Sequence, residues 1–192
     1  MVHLIIEVSK YLMIVLLAIY TYQCFAVFRR RSPERQNRIF NSQASLIYLI
    51  HLDAFLVIYA STLDLKVIGL YLVQLILLVI IQLCYKVFYR KASRLVVNNM
   101  CMLMAVGFVM IARLSYTKCV KQFAIAVAGT LLTLAIPWLL KTVKSFRKMG
   151  WIYCGTGLVL LLAVLLGNKI YGANLVLTLG PVSVQPAEFV KI

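Results

Sequence analysis

Acidic residues are scarce in this sequence. Its 192 residues include only 5 Asp and Glu against 20 Lys and Arg, and 64% of the residues are hydrophobic. A chain with so little polar surface cannot fold as a water-soluble protein, because too many apolar side chains would remain in contact with water. The sequence therefore predicts an integral membrane protein.

Several familiar site patterns are absent as well. The 5 cysteines include no C-x-x-C pair, and most fall within apolar runs, so neither a disulfide framework nor a zinc site is indicated. The sequence contains no G-x-S-x-G, H-E-x-x-H, G-K-S/T or G-x-G-x-x-G motif. No cofactor is evident, and a requirement for a divalent cation is not readable from the sequence.

Six apolar runs have lengths close to the roughly 20 residues that a helix needs to cross a bilayer. Runs of this length suit helices, whose peptide groups are all bonded internally, and not barrel strands. We therefore predict an all-α, polytopic transmembrane helix bundle with six crossings, and a seventh that begins at Pro186. The six runs cover about residues 8–28, 39–61, 67–89, 96–116, 123–140 and 151–167.

Basic residues mark one side of the predicted bundle. Most of the 20 Lys and Arg residues lie in the first, third and fifth connections between crossings. Because such clusters stay on the cytoplasmic side, the amino terminus and the segment after Gly180 are predicted to lie outside. The net charge of +15 is thus a topology signal that indicates no nucleic-acid partner. The first run lacks preceding basic residues, so it is predicted to be an anchor and not a cleaved signal peptide.

Two polar residues lie inside the predicted crossings. Asp53 precedes the connection at 62–66 and Gln74 follows it, and an antiparallel hairpin would bring them to similar depth. We therefore expect Asp53 and Gln74 to form a structural polar pair between helices. Intramembrane Asp residues also serve ion or proton transport, although a carrier usually contains more such groups.

The last residues contain a spaced motif of Gln185, Pro186, Glu188 and Lys191. Pro186 suits the first position of a helix, and Glu188 suits the positive end of its dipole. The motif resembles the Q-P-S-E-x-x-K signature of the FtsW/RodA/SpoVE (SEDS) family of bacterial cell-wall synthesis, with Ala187 in place of the commoner Ser. The upstream residues Gly172-Ala173 and Leu179-Gly180-Pro181 also resemble the family.

The resemblance extends back to about residue 96. Residues 104–115, together with Lys118 and Lys121-Gln122, are similar to the first core helix of the family and its outer edge. On this basis, 95–192 holds the first three helices of a SEDS-like core and the start of the fourth, and 1–94 is an amino-terminal extension of three transmembrane helices.

The resemblance implies an enzyme of the bacterial cytoplasmic membrane that polymerises lipid II and works with a class B penicillin-binding protein, a transpeptidase. It makes Gln185, Pro186, Glu188 and Lys191 candidates for the substrate cavity, with Glu188 and Lys191 as an ion pair. Residues 174–176 lack the basic and aromatic side chains that are usual in the family. Arg113 and Lys169 are therefore weaker candidates for supplying positive charge.

The catalytic Asp of the family lies in an outer loop further along the chain than residue 192. We therefore expect these residues to be the amino-terminal part of such a polymerase and to be inactive alone. A lipid or solute transporter of the flippase type, or a non-catalytic membrane scaffold of the cell-wall machinery, would show similar helices. The motifs do not distinguish roles in division, elongation or sporulation.

Overall fold

The structure is a computed structural model of the chain that contains two compact units, Met1–Leu134 and Ala135–Ile192. The residues it describes are 2–29, 32–142, 150–165, 168–170, 173–179 and 182–184.

The described residues of the first unit form long helices, and the fifth helix continues into the second unit. Each helix overlaps one of the predicted apolar runs, which confirms the predicted membrane-helix bundle in this part of the chain. In the described part of the chain, five helices are long and apolar enough to cross a membrane. They are α1 (Val2–Arg29), α2 (Pro33–Thr62), α3 (Leu65–Phe88), α4 (Arg94–Leu114) and α5 (Tyr116–Thr142).

Local residues explain where these helices begin and end. Pro33 opens α2, where a missing backbone N–H costs nothing because it would have no intrahelical partner. Leu63 adopts a left-handed conformation, with φ of 52°, directly after α2. Asp64 then caps α3 by accepting a hydrogen bond from the backbone N–H of Lys66 at 2.9 Å. Such short connections make consecutive helices antiparallel neighbours.

The core of the first unit lies where α2, α3 and α4 meet. Its fully buried side chains include Ile47 on α2, Leu78 and Ile81 on α3, and Phe108 on α4. Large apolar side chains on the opposite helix faces remain exposed, as Leu103 does at 75%. An apolar outer surface around a packed centre is expected of a protein whose solvent is lipid.

The structural division differs from the boundary that the sequence predicted at residue 94. Helix α4 packs against both α2 and α3, so residue 94 does not separate two compact units. The division falls between Leu134 and Ala135 instead, within α5. The boundary at residue 94 rests on a sequence resemblance, which compactness does not test.

The second unit contains strands that the sequence did not predict. Helix α6 (Gly150–Leu165) occupies the sixth predicted crossing, and residues 166 and 167 lie outside the described residues. It is followed by β1 (Asn168–Ile170), β2 (Ala173–Leu179) and β3 (Val182–Val184), which form an antiparallel sheet in that order. The predicted start of a seventh crossing at Pro186 lies outside the described residues.

Candidate functional site

The helix bundle of the first unit has two ends, and a pocket lies at each end. At the end marked by Asp64, α1 and α3 begin while α2 and α4 finish. The pocket at this end has a volume of about 730 Å³ and includes Arg113 of the last turn of α4. We call it the Arg113 pocket.

The Arg113 pocket combines apolar walls with a charged rim. Its walls include Met13, Val57, Leu70 and Val109, and its polar lining consists of Ser9, Lys10, Ser61, Thr62, Asp64, Arg113, Ser115 and Tyr116. The Asp64 carboxylate already accepts the Lys66 N–H, whereas Lys10 and Arg113 are exposed. The pocket therefore suits an amphipathic ligand with a long apolar part and a negatively charged group.

The polar residue Asp53 lies next to this pocket with a partner that the sequence did not predict. Its Oδ2 accepts a hydrogen bond of 2.6 Å from the buried hydroxyl of Ser9. This bond joins α1 to α2 and satisfies one carboxylate oxygen in an apolar environment. The expected Asp53–Gln74 pair is thus corrected, because Asp53 is turned towards α1.

The Gln74 side chain forms a hydrogen bond with a cysteine sulfur and not with Asp53. Its Nε2 donates to Cys119 Sγ at 3.2 Å, and Cys119 Sγ in turn lies 3.5 Å from the carbonyl oxygen of Phe108. Gln74 Oε1 is buried without a hydrogen-bond partner. The matching depths of Asp53 and Gln74 were predictable from the hairpin, but depth alone does not fix the rotation of each helix.

The primary candidates from the sequence all lie outside the described residues. They are Gln185, Pro186, Glu188 and Lys191. Of the weaker candidates, Lys169 belongs to β1, where it is paired in register with Asn174. Arg113 does line a pocket.

Two residues that line the Arg113 pocket, Ser9 and Lys10, were not predicted from the sequence. Ser9 and Lys10 lie within the first apolar run, where the sequence gives no sign that their side chains meet α2 or α4. A lysine within an apolar run is uncommon, and that position is the signal that could have drawn attention to Lys10.

A second polar cluster joins α1, α2 and α4 towards the opposite end. Asn98 Nδ2 donates to Gln43 Oε1 at 3.1 Å and to the Phe40 carbonyl oxygen at 3.0 Å. Tyr20 Oη donates to Asn99 Oδ1 at 2.8 Å. Gln43 is fully buried. These hydrogen bonds therefore satisfy amide groups for which lipid acyl chains offer no partner.

The segment that precedes Gln185 is an antiparallel ribbon. In β2 and β3, Leu177 pairs with Val184 and Leu179 pairs with Val182. The described part of the ribbon reaches Val184, the residue before Gln185.

No protein-family model matches the chain, and neither the curated proteins nor the solved structures searched contain a match.

Proposed function

We propose that this chain is the amino-terminal part of a SEDS-family peptidoglycan glycosyltransferase that polymerises lipid II in the bacterial cytoplasmic membrane. The observation that carries the proposal is the spacing of Gly172-Ala173, Leu179-Gly180, Gln185-Pro186, Glu188 and Lys191 in one segment. Each of these residue types stands in the order found in the family signature.

The antiparallel ribbon supports this interpretation. Pairing of Leu177 with Val184 fixes where the chain leaves β3, so Gln185 follows a defined element and not a long irregular loop. A motif that contributes to a substrate cavity needs such support, because small displacements of binding groups are costly in catalysis.

The Arg113 pocket supports the substrate class. Lipid II has a long isoprenoid chain and a pyrophosphate, and the pocket joins apolar walls to the cations Lys10 and Arg113. Positive groups near a departing pyrophosphate would stabilise the developing charge during glycosyl transfer. In this proposal the described residues bind and orient the lipid-linked substrate, while acid–base chemistry is left to the family's outer loop.

The proposal places the amino terminus and the Asp64 end at the outer surface, and it makes a class B penicillin-binding protein the partner. The distribution of Lys and Arg supports this orientation: Arg90, Lys91 and Arg94 cluster at the end opposite Asp64.

The test is polymerisation of fluorescent lipid II by the complete native gene product, purified with its transpeptidase partner. We expect glycan chains on a gel, and none from residues 1–192 alone. Arg113→Gln in the complete protein should lower the rate several-fold, because one cation of the substrate pocket is lost. Lys118→Gln is the matched control, since Lys118 is exposed and belongs to a different helix.

Two results would contradict the proposal. One is the absence of polymer from the complete gene product with its partner present. The other is movement of labelled lipid II across vesicles without chain growth, which would assign the protein to the transporters.

A further inference from the structure

The opposite end of the first unit contains a smaller pocket with a different character. It has a volume of about 330 Å³ and is lined by residues of α2, α3, α4 and the connection between α3 and α4. We call it the Arg90 pocket. It shares no lining residue with the Arg113 pocket.

Positive charge is concentrated in the Arg90 pocket. Its lining includes Lys86, Arg90 and Arg94, and none of the described residues that line it is acidic. Lys86 and Arg90 are exposed and Arg94 is half-buried. Like charges that line one pocket repel one another. An anion in the pocket would relieve that repulsion.

Arg94 is held in place for such a role. Its guanidinium donates to Asn37 Oδ1 at 3.1 Å and to Asn41 Oδ1 at 2.8 Å, and it lies over the ring of Phe40. A guanidinium has five N–H donors, so these two bonds leave donors for a further acceptor. Fixing Arg94 in advance lowers the entropy that a ligand would lose on binding.

Gln82 adds a polar side chain to the same pocket. Its Oε1 accepts a hydrogen bond of 2.7 Å from Tyr48, which holds the amide between α2 and α3. An amide is neutral, so Gln82 tolerates an anion in the pocket where an acidic side chain would repel one.

The start of α4 adds a partial positive charge. Ser93 precedes the helix without forming a side-chain cap, and Arg94 and Val97 of the first turn line the pocket. The first backbone N–H groups of a helix have no intrahelical acceptor, and together with the helix dipole they favour phosphate.

The pocket borders an exposed apolar surface. Leu83 lines the pocket yet is 54% exposed, and Val87 and Phe88 on the same helix are also exposed. A phospholipid could therefore place its phosphate in the pocket and its acyl chains along α3, which free phosphate could not do. Basic pockets between helices at the cytoplasmic end are typical binding sites for anionic headgroups.

We propose that the Arg90 pocket binds the phosphate headgroup of an anionic phospholipid from the adjoining leaflet. This site is separate from the lipid II site proposed at the Asp64 end. It would anchor the α2–α3–α4 core in the membrane at the end that carries the basic connections.

Native mass spectrometry of the detergent-solubilised protein tests the proposal. The probes are phosphatidylglycerol and phosphatidylcholine of equal chain length, and we expect the first to bind preferentially. The double variant Lys86→Gln/Arg90→Gln should weaken phosphatidylglycerol binding about tenfold or more, because each cation near an anionic headgroup adds attraction. Lys118→Gln/Lys121→Gln makes the same charge change on exposed residues of α5 and should leave binding unchanged.

A second variant changes the pocket without removing a cation. Gln82→Glu keeps the acceptor for Tyr48 but places a negative charge in the pocket that repels phosphate, so it should also weaken phosphatidylglycerol binding. Thermal unfolding of each variant establishes that it is folded. The proposal is overturned by equal binding of the two lipids, by an equal loss in the α5 control, or by millimolar inorganic phosphate displacing the lipid completely.

Discussion

Replacing Phe108 by Ala is expected to lower the free energy of unfolding by about 2–4 kcal/mol. Phe108 is only 2% exposed and packs against Phe123, with ring centroids 6.2 Å apart. Truncation would leave a cavity in the core that α4 shares with α2 and α3, and rigid helices cannot close it. The loss should be somewhat smaller than in a water-soluble core, because an unfolded membrane protein still keeps its apolar side chains in lipid.

Unfolding in mixed micelles, by titration with a denaturing detergent, would measure this loss. Leu103→Ala on the same helix is the control, because Leu103 is 75% exposed and its removal should change the free energy of unfolding by less than about 0.5 kcal/mol. Equal losses for the two variants would mean that α4 does not bury the face that carries Phe108.

Replacing His51 by Phe should have the opposite effect and raise the free energy of unfolding by about 1–3 kcal/mol. His51 is 0% exposed, contacts the rings of Phe55 and Tyr71, and has no hydrogen-bond partner at either ring nitrogen. Burying two unpartnered nitrogens is unfavourable, and a phenyl ring would keep the aromatic contacts without that penalty.

The same unfolding titration tests His51→Phe, with His3→Phe as the matched control. His3 is exposed near the start of α1, so the same chemical change there should leave stability unchanged. A loss of more than 1 kcal/mol on replacing His51 would show that its nitrogens do have a polar partner, such as buried water.

The helices were the predictable part of this fold. An apolar run of about 20 residues has few alternatives in a bilayer, and Pro33 and Asp64 mark helix starts through local chemistry alone. All six predicted runs therefore contain helices close to the expected positions. The strands β1–β3 were not predictable in the same way, because short strands are defined by pairing between separate segments.

The partners of the polar residues were less predictable. The sequence placed Asp53 and Gln74 at similar depth, but it could not specify that Asp53 faces Ser9 on α1 while Gln74 faces Cys119 on α5. The rotation of each helix is decided by the packing of all its neighbours. The Arg90 pocket was not predicted either, because its cations were interpreted only as a topology signal.

The proposed function requires the ribbon and the Gln185–Lys191 motif to lie on the membrane face opposite the basic connections. A membrane-impermeant maleimide applied to intact cells tests this placement, in a variant whose 5 native cysteines are replaced by Ala. We expect Ser183→Cys to be labelled in intact cells and Lys91→Cys to be labelled only after permeabilisation. Labelling of Lys91→Cys in intact cells, with Ser183→Cys protected, would contradict it.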